Sequence, residues 1–426
     1  MKKTIILAMV LPLLGMAEDY LTFEQAMNVA LEQNIGIQQA ANNTEVSRNN
    51  ASLASAGLLP HLDLIASTTY TDATLQTAGG EVASTSTRNS SGLNASYALF
   101  RGMRGINNYK LLKTQATATE LRQELVIENT LLQVSQAYFN LLMIYDNLNI
   151  LEEQLDVSRD RLDQAIDKNA RGMSSSLQAL AARVDFDNDS TSVLEASHSF
   201  QEAQRSLNLM LGWNLEESYF PVKVEREFGK YDLNQMEAKS LQANTSYLLS
   251  LNSEDQTTLS YKNSIGALMP TVNLTGSYGL QQSNPEFDLG LDNADLSLIS
   301  GLSLSWNLFD GRKSKDLQSA KILQKNSELD ALDAKRQVTK DVDSAYRSYE
   351  KSIQVLALKQ TSLASAQMNF EQTQEFFKLG QVSSTQFRES QLNLSRVKSS
   401  LIQAKYSAYL DEIRLWQLTG DILERI

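Results

Sequence analysis

The chain is written twice, and this duplication restricts its fold more than any other feature. Asn34-Ile35 follow Ala30-Leu31-Glu32-Gln33 as Asn244-Thr245 follow Ser240-Leu241-Gln242-Ala243, and Leu58-Leu59-Pro60 returns as Leu268-Met269-Pro270, both 210 residues on. Ser91-Gly92-Leu93, Ser96, Leu99-Phe100 and Gly102 return 209 residues on as Ser300-Gly301-Leu302, Ser305, Leu308-Phe309 and Gly311, seven matches in a window of twelve. Gly172, Ser175-Ser176 and Gln178 return 208 residues on as Gly380, Ser383-Ser384 and Gln386, and Gly212 closes the first copy as Gly420 closes the second. A period near 209 residues is far too long for a solenoid of short repeats, so each copy is a domain-scale unit of several elements.

The first residues and the composition restrict the compartment. Met1-Lys2-Lys3, the apolar run Thr4 to Leu14 and the small-residue site Gly15-Met16-Ala17 predict a secretory signal over residues 1–17, with a mature chain from Glu18. The run is too short for a membrane anchor, and no later segment reads as a spanning helix. The absence of cysteine removes disulfides, thiolate metal sites, cysteine nucleophiles and a lipidated N-terminal cysteine. Membrane attachment would therefore come from the fold. A formal net charge of −12 argues against a nucleic-acid partner.

Thr22 with Gln25 is a capping box opening a polar, alanine-rich helix expected to run to about Gly57. After Pro60 the period changes to two. Leu62, Leu64, Ala66, Thr68 and Tyr70 alternate with Asp63, Ile65, Ser67 and Thr69; a polar loop is expected over Asp72 to Ser90; then Leu93, Ala95, Tyr97 and Leu99 alternate with Asn94, Ser96 and Ala98. The second copy repeats the hairpin with Val272, Leu274, Gly276 and Tyr278, then Leu302, Leu304, Trp306 and Leu308, on its apolar face. Four strands of about ten residues, each with one apolar and one small-polar face, match the tilted strands of a membrane barrel in length and pattern.

Each hairpin is followed by a proline-free helical stretch of about 68 residues, long enough to reach about 100 Å. Leu131, Val134, Tyr138, Leu141, Tyr145, Leu148, Leu155 and Leu162 mark a narrow seam in the first, and Tyr349, Leu356, Leu363, Phe370 and Phe377 recur every seventh residue in the second, a coiled-coil pattern. Gly172 and Gly380 interrupt these stretches before return helices. The expected organisation is a first repeat over 18–212 (hairpin about 61–100, long helix about 103–170, return helix about 174–211), an irregular segment over 213–232, and a second repeat over 233–426 (hairpin about 271–309, long helix about 313–379, return helix about 382–418). The fold class is mostly α with a small β portion.

The signal sequence, the duplicated helix–strand–strand–helix–helix units, the Leu-Pro and Met-Pro steps into the strands, the Leu-Phe-x-Gly steps out of them and the glycine turns resemble the TolC family of outer-membrane efflux ducts, across essentially the whole mature chain. The resemblance implies a homotrimer in which each chain gives four strands to one twelve-stranded transmembrane barrel in outer-membrane lipid, continuing into a periplasmic tunnel of helices. It also implies a periplasmic adaptor protein and an inner-membrane RND or ABC transporter as partners, with passive conduction and no cofactor.

Carried over from Gly380, the family's two lumenal ring aspartates fall on Gln386 and Glu389, and only Glu389 keeps a charge. Its gating tyrosine and arginine fall on Phe377 and Val382, so a polar latch of that kind is missing from this turn. Glu389 reads equally as a solvated helix carboxylate, and Phe377 as a packed member of the seam. Arg171-Gly172 and Gly380-Gln381 would be adaptor-docking turns by the same resemblance, or simply glycines ending helices.

Enzyme chemistry has little support. His61 and His198 are isolated, no metal-ligand spacing occurs, and Gly311-Arg312-Lys313-Ser314 lacks the order of a phosphate loop. Glu286, Asp288, Asp292 and Asp295 lack calcium-loop spacing and read as a solvated loop. The competing non-enzymatic reading is a periplasmic or secreted coiled-coil scaffold with adhesive hairpins and no pore, which would not need four amphipathic strands.

Overall fold

The computed structural model describes residues 20–77, 79–285 and 293–425. The signal segment and the loop residues Glu286, Asp288 and Asp292 lie outside the described residues. Two compact units result: one takes the residues up to Ala40, Glu124–Thr245 and those from Arg336 onward, the other Ala41–Gln123 and Ser246–Lys335, so the boundary cuts through several long helices.

The first unit is helical and built around one aromatic core. Its elements are β1 (Tyr20–Leu21), α1 (Phe23–Gln33), the second part of α3 (Arg104–Ala170), α4 (Ser176–Leu211), β4 (Phe220–Pro221), α5 (Leu233–Ala243), the later part of α7 (Gly311–Lys378), α8 (Ser384–Leu418) and α9 (Ile422–Arg425). No proline occurs between Pro60 and Pro221 or after Pro285, which leaves the long helices uninterrupted. The seam residues Leu131, Val134, Tyr138 and Leu141 are buried and pack with Phe23, Phe139, Tyr409 and Trp416. Each such side chain contributes about 1.5–3 kcal/mol on burial. Tyr138 keeps its hydroxyl satisfied by donating to the carbonyls of Leu21 and Val222, both at 2.8 Å, which ties the paired β1 and β4 to the core.

The expected first helix is broken. The Thr22–Gln25 capping box opens α1, but α1 stops before Asn34, α2 runs over Ile35–Asn50, and turns fill the residues to Gly57. Asn34 causes the break. Its Oδ1 accepts from the Gly36 amide at 2.9 Å while its Nδ2 donates to the Met210 carbonyl at 2.9 Å, so the side chain caps α2 and closes the end of α4 together. The second repeat copies the device: Asn244 separates α5 from α6 (Thr245–Gly266), and its Nδ2 donates to the Leu418 carbonyl at 3.1 Å.

Beside this second break lies a buried acid. Glu128 on α3 is 4% exposed and accepts from Thr245 Oγ1 at 2.7 Å. Burial raises its pKa to about 7; the Thr245 hydrogen bond opposes the rise and the neighbouring Glu124 charge adds to it. The folded state therefore holds the proton more tightly than the unfolded chain does. The contribution of Glu128 to stability is full below pH 4.5 and falls as pH rises towards and through 7, by roughly 3 kcal/mol in total. Glu128→Gln is expected to remove this slope; melting curves at pH 5 and pH 8 that shift equally in both proteins would contradict it.

The second unit carries the sheet: β2 (His61–Thr77), β3 (Gly80–Arg101), β5 (Thr271–Pro285) and β6 (Asn293–Ser305), antiparallel in the order β2-β3-β5-β6. β2 and β6 are open edges. The strands are longer than the ten residues expected, and within the expected loop Asp72–Thr77 and Gly80–Ser90 are ladder, with Asp72 opposite Thr85 and Ser67 Oγ 2.7 Å from Ser90 Oγ. Threonine and serine suit extended backbone, and cross-strand pairs hold it without an apolar face. Asp295 likewise lies in β6, opposite Gln281. At its other end β6 stops at Ser305, short of the expected 309, and Trp306 leaves the ladder to donate from Nε1 to the Leu268 carbonyl at 3.1 Å.

Residues directly opposite each other share a face. Leu64, Leu93, Tyr278 and Leu298 form one continuous row, and Leu274 with Leu302 and Val272 with Leu304 extend that face. At Leu99 a bulge inserts one residue, so that Phe100 lies opposite Val272 on the apolar face and Arg101 lies opposite Thr271 on the polar one. The adjacent apolar residues Leu99-Phe100 thus have a structural cause.

Where β3 passes into α3, Gly102 (φ 62°) approaches Gly266 at the end of α6. A Cβ on Gly102 would lie 2.2 Å from the Gly266 carbonyl oxygen, and one on Gly266 would lie 2.3 Å from that of Gly102. Only two glycines permit this contact.

Candidate functional site

Two glycine turns shape the site proposed from sequence. Gly172 (φ 68°) ends α3 and Gly380 (φ 73°) ends α7, and the Met173 and Gln381 amides each reach back 2.8 Å to the carbonyls of Lys168 and Phe376. A Cβ on either glycine would meet nothing within 4 Å, so the left-handed backbone, not crowding, calls for glycine. Arg171, Gly172, Gly380 and Gln381 are all exposed.

Past the second turn, Ser383 caps α8. Gln386 completes a capping box: its Oε1 accepts from the Ser383 amide at 2.9 Å, and its own amide donates to Ser383 Oγ at 3.2 Å. The amide oxygen of Gln386 is thereby committed to capping the start of α8. Glu389, three residues on, is exposed and lines an open cavity of about 730 Å³ with Asn369, Thr373, Asn393 and Arg396. Phe377 stacks on the buried Phe387 with centroids 4.7 Å apart and planes 5° apart, while Lys168 Nζ lies 5.8 Å from its ring centroid; Val382 is half-buried. Phe377 therefore has a packing role in the seam.

The structure adds a group that sequence reasoning did not find. Arg388, adjacent to Glu389, turns inward and forks onto Asp189 of α4, with Nη1 2.6 Å from Oδ2 and Nη2 2.7 Å from Oδ1. Asp189 also accepts from Gln154 at 2.6 Å and from Ser158, both on α3. Gln391 of α8 donates to the Gln154 carbonyl at 3.0 Å. Arg161, 3% exposed, pairs with Asp185, and its Nε and Nη1 have no partner. Burial pushes the Asp189 carboxyl up, but the hydrogen bonds from Arg388, Ser158 and Gln154 outweigh it and hold the group below the ordinary carboxylate range. Burial lowers the affinity of Arg161 for its proton, partly offset by Asp185, with Arg388 lowering it further. α3, α4 and α8 are thus joined by a buried ionic network that α8 enters at Arg388, eight residues beyond Gly380. Its members lie up to 237 residues apart, as Gln391 and Gln154 do, so no local pattern marks them.

Among the described residues, no three His, Cys, Asp or Glu side chains converge as a metal site, and no helix is long and apolar enough to cross a membrane. The latter says nothing of the sheet. The family model described as outer membrane efflux protein matches residues 26–213 and 254–421, one segment in each repeat. The outer membrane efflux protein BepC of Brucella suis biovar 1 is 23% identical over 345 residues, which cover 77% of this chain and 71% of that protein. In structure the chain is similar to the CmeC outer membrane channel of Campylobacter jejuni, with a TM-score of 0.81 at 18% identity over 94% of this chain and 86% of that one. The outer membrane protein VceC of Vibrio cholerae superposes with a TM-score of 0.78 at 14% identity over 93% and 96%. At such identities the structural likeness is one of fold.

Proposed function

The chain belongs to the outer membrane efflux protein family, an outer-membrane channel with a TolC-like fold and periplasmic helices, and from that premise we propose that it is the exit duct of a tripartite efflux or type I secretion system. Three copies would close one twelve-stranded barrel. A periplasmic adaptor would dock on the turns at Arg171-Gly172 and Gly380-Gln381, and an inner-membrane RND or ABC transporter would supply the energy, leaving conduction here passive. The chain would act as a channel and not as an enzyme.

One observation carries this reading: a four-stranded sheet with two open edges and a continuous apolar face that the described residues leave uncovered. Leu64, Leu298 and Leu302 are 78%, 77% and 68% exposed. Such a face needs an apolar medium, and such edges need partners. Both needs are met by closure with other copies in a bilayer.

The test is conductance across a planar bilayer after adding the purified protein. Discrete, trimer-dependent steps are expected; protein shown to be folded that neither inserts nor conducts would overturn the duct. The same recordings test Glu389 as a pore carboxylate. Three copies near one axis favour cations, so Glu389→Ala is expected to lower the cation-to-anion permeability ratio by about twofold or more. An unchanged ratio would return Glu389 to a solvated helix surface.

A further inference from the structure

We propose that the base of the sheet holds an oxyanion-binding site for a phosphate-like group of soluble cargo, built from Arg101, Arg104 and Lys313. The three side chains line one cavity of about 380 Å³ together with Asn108, Asn263 and Asp316. Three cations thus line one cavity of a chain whose net charge is −12. Among the described residues, none of the three has an ion-pair or hydrogen-bond partner for its charged head. Two guanidinium groups and an ammonium without carboxylate partners offer the forked and point-charge donors that phosphate-like oxyanions take. Asp316 is the one opposing charge in the lining.

The cavity is built rather than incidental. Arg104 and Lys313 occupy the same position in the two repeats, 209 residues apart, so both copies place a cation where strand gives way to long helix. Glycines make room for both arginines: a Cβ on Gly57 would come within 3.2 Å of Arg101 Nη1, and one on Gly266 within 2.7 Å of Arg104 Cγ. The Asn263 Oδ1 beside the cavity is buried with no partner and, as an acceptor, could take a hydrogen bond from a protonated phosphate oxygen or a bridging water.

Register decides which side of the sheet the site serves. The bulge at Leu99 puts Arg101 opposite Thr271, on the face of Asn273, Thr275 and Ser277 and away from the face of Val272 and Leu274. In a closed barrel the polar face is the lumen, so the site would meet cargo in the conduit and not lipid; this placement rests on the duct reading above. Arg101 and Arg104 follow the central strand β3 and Asn263 precedes the central strand β5, whereas Lys313 and Asp316 lie on α7, which follows the edge strand β6.

The test is equilibrium binding of radiolabelled inorganic phosphate to the full-length protein in detergent at low ionic strength. Saturable binding is expected, about tenfold weaker after Arg101→Gln/Arg104→Gln/Lys313→Gln and about twofold or more tighter after Asp316→Asn. Circular dichroism checks the folding of the triple variant, and Lys313→Gln alone, at a helix start, should still weaken binding severalfold. Equal binding by all variants would mark an adventitious ion only and overturn the site. In nanodiscs, retention of phosphatidylglycerol through the same three residues without competition by phosphate would overturn the conduit-side placement. Binding is read without a current, so protein that binds phosphate but never conducts sinks the duct, and protein that conducts but binds no phosphate sinks this site alone.

Discussion

Replacing Arg388 with methionine is expected to destabilise the helical unit by about 3–5 kcal/mol, the cost of leaving a buried carboxylate without its counter-charge. Asp189 is almost fully buried at 4% side-chain exposure and would keep only Gln154 and Ser158 of its partners. Removing both charges is a different perturbation. Arg388→Met/Asp189→Leu substitutes apolar volume for the pair and should recover most of the loss, because two desolvation costs disappear with the attraction. Denaturation midpoints of the two single variants and the double variant form the cycle. If the double variant is as unstable as the sum of the singles, the pair is not the unit of stability here. The depressed carboxyl also fixes a direction with pH. The contribution of Asp189 is present above the ordinary carboxylate range and is lost as pH falls through the folded value, so Arg388→Met should flatten the acid limb of the stability profile.

Glu412→Ala is expected to cost a comparable amount and to release a different part of the molecule. Glu412 is 1% exposed and accepts three hydrogen bonds from the segment between the repeats: Arg226 Nη2 at 2.7 Å, the Gly229 amide at 2.8 Å and the Tyr231 hydroxyl at 2.7 Å. Trp416, one turn further along α8, donates from Nε1 to the same Tyr231 hydroxyl at 2.8 Å, and Arg226 lies over its ring at 4.4 Å. Burial, with the Glu412 hydrogen bond, pushes the Tyr231 hydroxyl up to about 12, so it remains a donor at any physiological pH. Alanine would strand all three donors, at roughly 1–3 kcal/mol each where no water can replace the carboxylate. Hydrogen exchange should then quicken over residues 222–232 while the α3 core stays protected. Uniform loss of protection would mean that Glu412 supports the whole unit rather than the segment. Glu412→Gln keeps the shape and should lose less.

Period and punctuation made much of this architecture legible. The duplicated motifs announced two copies of one unit, alternation announced the strands, and the seam from Leu131 to Leu162 announced a long helix whose inward residues are indeed buried or half-buried. What escaped has physical reasons. The ladder within Asp72 to Ser90 has no apolar face, so a reading that looks for one finds a loop. Asn34 and Asn244 break helices through side-chain bonds to carbonyls about 175 residues away, as in Asn34 to Met210 and Asn244 to Leu418, and polar helix surfaces hide such residues. The ionic network around Asp189 belongs to the same class, because its pairing exists only once α3, α4 and α8 lie together. At the second turn, resemblance points to Glu389 as a candidate. Arg388 beside it was passed over, since adjacent positions on a helix face different ways.

The contact between Gly102 and Gly266 has a sequence counterpart that is not made among the described residues. Advancing Gly102 by 209 residues gives Gly311, and moving Gly266 back by the same interval gives Gly57. Both are glycines, yet a Cβ on Gly311 would meet nothing within 4 Å. The first pair rivets the two repeats of a single molecule at the central strands. The second pair flanks the edge strands β2 and β6, so under the proposed duct reading a neighbouring copy would complete it. Under the duct reading, gene duplication would have left each chain carrying, inside itself, a worked copy of the joint by which copies would meet.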